Sequence, residues 1–201
     1  MIEDIKKEVL DAIEEYKNNS SDHYDFWNEH IKYVYYESID LAKKYSADIE
    51  IVSLGALLHD ISLIKGGTKE KHHIEGANIA REILEKHNYP QEKLERVVNC
   101  VYNHRSSKNA TCIEEICVCD ADILAHFDNI PMLFYTAYVR FNTSINDIKE
   151  WMLSCFEKDY DDLSPKTKET FKDRYENIKD IVLGNSKYNY INRKSKCPKR
   201  V

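Results

Sequence analysis

The sequence predicts an all-α fold, and three observations predict it. Nearly every segment repeats its apolar residues at helical spacing, none sustains the alternation of a strand, and only five glycines and four prolines interrupt 201 residues. The elements follow in order. A charged amphipathic start, "MIEDIKKEVL", predicts a helix over about 2–18, and "DFWNEHIKYVYYESIDLA" lies in a second over about 27–46. Asp48 is placed as the N-cap of a third, about 48–63, whose stretch "IVSLGALLHD" is apolar until its last two residues. Gly66-Gly67 loosens the next loop, and Tyr89-Pro90 separates helices over about 72–87 and 91–104. Further helices are expected over about 112–128, 131–142, 146–158 and 165–184. The tyrosines, Tyr33, Tyr35 and Tyr36 among them, read as helix packing.

A chain of this length with 42% hydrophobic residues can bury one sizeable core, so residues 1–190 are expected to form a single domain. No apolar run approaches the roughly 20 residues that cross a bilayer, and the start does not resemble a signal peptide; a soluble, cytoplasmic protein is expected. A net charge of −6 argues against a general nucleic-acid-binding surface, although residues 191–201 form a small basic tail expected to be disordered. Six irregularly spaced cysteines do not make a disulfide scaffold, and Cys117 and Cys119 stand too close for a zinc knuckle. Buried free thiols are the expected state. Oligomeric state is left open.

His59-Asp60 ends an apolar helix on two groups that are costly to bury without partners. Taken alone the pair is a polar helix end, but its company points elsewhere. His30 sits among apolar residues of the second helix, and Asp120 and Asp122 lie in the otherwise apolar "EEICVCDADILAHF". His72 and His73 open a helix in "KHHIEGANIAREIL", and His104 closes one in "ERVVNCVYNHRSSK". Imidazole and carboxylate are ligands for a borderline or hard divalent ion, and one ion would answer for several of these groups.

In this order and setting the chain resembles the HD-domain superfamily of metal-dependent phosphohydrolases, over about residues 20–143. His30 matches the family's first histidine, His59-Asp60 its doublet, and the Ala-Asp-Ile-Leu at 121–124 its distal aspartate, which selects Asp122 over Asp120. A glycine and alanine four and five residues after His72, and "NHR" around His104, match further members. The C-terminal region, about 145–185, lies beyond the motifs and is read as a helical extension of the bundle.

The resemblance implies one divalent ion (Mn, Mg, Fe, Co, Ni or Zn) on His30, His59, Asp60 and Asp122, with a phosphorylated small molecule, a nucleotide first among them, as substrate. His72 and His104 are read as phosphate-binding pocket residues or ligands of a second ion. Lys65, Arg105 and Lys108 are the expected phosphate contacts, since positive charge stabilises a transferring phosphoryl group. Asp120 is read as orienting a ligand histidine or serving in acid–base work, for which Glu70 and a water on the ion also qualify. His73 and His126 are candidate pocket residues, and His23 is placed near the pocket mouth. A diiron oxygenase of the same family, and a non-catalytic binding protein with a structural ion, stay open as alternatives.

Overall fold

The computed structural model describes residues 1–21 and 24–184, apart from the side chain of Arg140. These residues form helices and no strand: α1 Ile2–Asn19, a π-helical turn Trp27–Ile31 running into α2 Lys32–Tyr45, α3 Ile49–Leu58, α4 Ile61–Ile64, α5 His72–Lys86, α6 Gln91–Asn103, a 3₁₀ turn Ser107–Asn109, α7 Ile113–Asp128, α8 Ile130–Phe141, α9 Ile145–Asp162 and α10 Pro165–Leu183. The all-α expectation holds. None of these helices is long and apolar enough to cross a membrane. The expectations for His23 and for residues 191–201 lie outside the described residues.

The chain forms two compact units, Met1–Ile130 with Asp162–Ser164, and Pro131–Asp161 with Pro165 onward. In the first, α3 is the central rod: α1, α2, α6 and α7 all pack on it. Every residue from Ile51 to Asp60 is buried, which explains a helix apolar on all sides. Gly55 permits the closest of these approaches, because a Cβ there would lie 2.7 Å from Cys100 Cβ and 3.2 Å from Val118 Cγ2. Asp48 caps α3 as expected, accepting from the N–H groups of Glu50 and Ile51. Cys100, Cys117 and Cys119 are buried on α6 and α7 and form no disulfide, while Cys112 and Cys155 are half-buried.

One expected helix is divided. The segment 48–63 breaks after Leu58, and Asp60 turns the chain at φ −103°, ψ 16° before α4. On a continuous helix His59 and Asp60 would point about 100° apart; the turn brings His59 Nε2 within 3.5 Å of Asp60 Oδ2.

The second unit contains most of α8, with α9 and α10. Ser144 and Asp147 exchange hydrogen bonds that cap α9, Phe141 meets Trp151 edge-on at 5.3 Å, and Tyr160 stacks on Tyr175 at 4.0 Å.

Candidate metal centre

Six donors converge where the π turn, the α3–α4 break, the ends of α5 and α6 and the middle of α7 meet. His30, His59 and Asp122 form one set, and Asp60, His72 and His104 a second. In the first, His30 Nε2 lies 3.0 Å from Asp122 Oδ1 and 3.1 Å from His59 Nε2, with His59 Nε2 3.7 Å from Asp122 Oδ1. In the second, His72 Nε2 and His104 Nε2 are 2.9 Å apart, and Asp60 Oδ1 is 3.6 and 3.9 Å from them. Asp60 Oδ2 faces the other way, 3.6 Å from His30 Nε2.

Local structure fixes the rings. His59 Nδ1 donates to the Ala56 carbonyl at 2.7 Å, His72 Nδ1 to Lys69 at 2.8 Å, and His104 Nδ1 to Val101 at 2.6 Å. All three stand at a helix end, each bonded to the carbonyl three residues earlier. A carbonyl only accepts, so Nδ1 carries a proton and Nε2, turned toward the cluster, is the atom each ring can offer to an ion as a lone pair. Facing lone pairs at 2.9 Å do not bond to each other; a cation satisfies both. Donors spaced 2.9–3.9 Å suit such an ion, since bonds of ~2.1 Å place neighbouring ligands about 3.0 Å apart on an octahedron and about 3.4 Å on a tetrahedron.

The electrostatics point the same way. Burial raises the Asp60 carboxyl, but the charges of His59, His30 and His104 outweigh it and hold it below the usual carboxylate range. Asp122 is likewise lowered against its burial by the His30 hydrogen bond and by the charges of His59, His30 and His126. Burial first, then the neighbouring His59, push His104 down to about 4, so its ring is neutral at pH 7. These residues fit one or two divalent ions.

The HD domain family profile matches residues 28–126, from two residues before His30 to His126. Residues 28–126 form an HD domain. Over 86 residues it is 36% identical to ribonuclease Y of Treponema denticola, a stretch that is 42% of this chain and only 15% of that relative. Solved structures share the fold: a predicted HD superfamily hydrolase from an uncultured Thermotogales bacterium (TM-score 0.61, 18% identity, 89% of each chain), and an HD-superfamily hydrolase from Bacillus thuringiensis (0.64, 16%, 96% of this chain and 98% of the other). The Lin1889 protein of Listeria innocua also matches (0.58, 21%, 92% and 98%).

Around the donors of the HD domain the other expected residues fall into place unevenly. Arg105 is exposed beside His73, reaching the Glu70 carbonyl at 3.5 Å. Lys108 does not stand ready for phosphate: its ammonium pairs with Asp162 at 2.6 Å. Lys65 is also elsewhere, lining a groove of about 460 Å³ with Ala12, Glu15, Tyr16 and Asn19, apart from all six donors. Asp120 is turned toward Ser164. Two residues along a helix turn about 200°, and its fully buried carboxylate accepts the Ser164 N–H at 2.9 Å and the Ser164 hydroxyl while Asp122 faces the cluster. His73 packs against His72 and Tyr102 with its Nδ1 buried and unpaired; burial, then the charges of Arg105 and His72, lower its pKa. His126 lies against His30, ring centroids 5.7 Å apart and planes within 18°.

One feature escaped the sequence reading, the row of carbonyl anchors, and part of its signal was present: His59 and His104 stand at helix C-termini, where the last carbonyls lack helical partners, whereas His72 opens α5 and bonds a carbonyl of the preceding loop.

Proposed function

We propose that the protein is a metal-dependent phosphohydrolase that cuts a phosphoester or phosphoanhydride bond of a small phosphorylated metabolite, a nucleotide first among the candidates. One observation carries the reading: the two oxygens of Asp60 face different imidazole pairs, so one carboxylate stands between two donor sets. Divalent ions held there would supply Lewis acidity toward a phosphoryl oxygen and a more acidic water as nucleophile. Three protein donors per set leave positions for both.

The chain's own residues orient and admit. His59 and His104 are sealed, whereas the side chains of Asp122, Asp60, His72 and His30 keep 15%, 11%, 11% and 10% of their surface exposed, so substrate approaches from the side of those four. Arg105, exposed beside His73, is the cation we assign to meet phosphate. With Asp120 committed to Ser164, no buried acid is assigned to the leaving group, which favours a good leaving group such as pyrophosphate. The relatives support the reading: two structural neighbours are named as HD-superfamily hydrolases, and the partial relative is a ribonuclease, which acts on phosphodiesters. The net charge of −6 favours small nucleotides over long RNA.

Four imidazoles and two carboxylates also suit two irons, which keeps oxygen chemistry as a second reading. Phosphate release from a panel of phosphorylated metabolites, tested with Mn²⁺, Mg²⁺, Fe²⁺ and Co²⁺, decides between them. Release abolished by chelator is the expected result. Oxygen uptake by the iron-loaded protein without phosphate release would replace the proposal, and a firmly held ion with neither would leave a structural site.

A further inference from the structure

His30 differs from the other three clustered histidines in how its ring is held. His59, His72 and His104 are each anchored through Nδ1 to a carbonyl three residues earlier. For His30 that carbonyl belongs to Trp27, and the π turn uses it: the Lys32 N–H donates to it. Among the described residues no other carbonyl takes its place. A ring joined only through Nε2 can still rotate about its χ angles, and a mispointed lone pair is a poor ligand.

What lies against the ring is His126. The planes are 18° from parallel and the centroids 5.7 Å apart, an offset stack. His126 stands four residues after Asp122 on α7, so one helix face presents both the carboxylate that meets His30 Nε2 at 3.0 Å and the plate behind the ring. We propose that His126 is a positioning residue: its ring face sets the plane of His30 and aims Nε2 at the ion shared with His59 and Asp122. The proposal rests on His30 being a metal ligand. It requires of His126 a flat face and no imidazole nitrogen, so phenylalanine should replace it and a non-aromatic residue should not.

The test uses the full chain, Co²⁺ titration followed by calorimetry and visible absorption, and thermal melting without metal as the folding control. His30→Ala is the reference for losing the first donor set. His126→Ala and His126→Gln are expected to weaken Co²⁺ binding at that set by ~10-fold, within the range for removing a ligand's supporting partner, and to alter the cobalt absorption. His126→Phe is expected to restore affinity and spectrum to near the parent's. Parent-like titration of His126→Gln overturns the positioning role, as does His126→Phe behaving like His126→Ala, which would show that the imidazole nitrogens act directly. If His30→Ala itself titrates like the parent, the ligand assignment has failed instead.

Discussion

The two ends of α3 both gather buried or half-buried acids, and they resolve them in opposite ways. At the N-terminus Asp48, Glu50 and Glu114 face Lys93 and Arg96: Lys93 meets Glu50 at 2.6 Å and Asp48 at 3.3 Å, and Arg96 meets Glu114 at 2.9 Å. Glu114 also accepts the Asp48 N–H. That cluster closes on the chain's own cations. At the C-terminus, among the described residues, Asp60 and Asp122 have only imidazoles as ion-pair partners. A structural charge cluster is complete as folded; a set of acids surrounded by imidazole lone pairs is complete only with a cation from outside.

The largest effect should come from breaking the incomplete end at its centre. Asp60→Ala removes the carboxylate that faces both sets, so both should lose Mn²⁺, with affinity falling by more than ~100-fold, beyond what outer partners of a ligand contribute. His72→Ala should spare the His30 set. Metal analysis of the two variants checks this, and equal losses would mean that Asp60 serves one set only.

Next comes the pair of aspartates on α7. Asp122→Ala should lose the ion of the first set with little change in fold. Asp120→Ala should keep both sets yet lower stability by about 1–3 kcal/mol, the cost of leaving the buried Ser164 donors without an acceptor. Denaturation and metal stoichiometry on both variants separate them; the reverse pattern would show Asp120 to be the ligand.

These contrasts mark what was legible in the sequence. Helical periodicity located the helices to within a few residues, because core burial imposes the 3.6-residue repeat directly. His30, His59, Asp60 and Asp122 were legible as costly polar groups in apolar surroundings, and the structure brings all four together. Loop cations were not: Lys65 and Lys108 stand close to donors in sequence, but a long side chain in a loop has no periodicity to reveal its direction. The division of α3 from α4 was hidden because Ile61 and Ile64 continue the apolar pattern across the turn. Gly55 gave no local sign, since its role depends on Cys100 of another helix.

Gly55→Ala tests the rod that joins the two ends. With Cys100 Cβ only 2.7 Å from the added methyl, α3 and α6 must separate, an overpacking penalty of about 1–3 kcal/mol. His104 sits at the end of α6, so metal affinity should weaken along with the melting temperature. Reduced stability with unchanged affinity would show the donor set to be insulated from the packing beneath it.

The smallest effect belongs to the complete end. Asp48→Ala removes the N-cap and should cost about 1 kcal/mol while leaving metal binding untouched, since α3 places it about 15 Å from the donors. Its pH dependence carries a definite sign. Burial raises the Asp48 carboxyl, but the Ile51 N–H and Lys93 lower it further, so its folded pKa lies below the unfolded value near 3.8. The stabilisation is therefore fully present above that unfolded value and is lost as pH falls through the folded one. The deficit of Asp48→Ala relative to the parent, measured by denaturation, should be constant from pH 7 to about 5 and shrink on further acidification. A deficit that widened instead would mean that the folded state favours the protonated acid, and that this end of α3 is not the self-neutralised cluster its ion pairs describe.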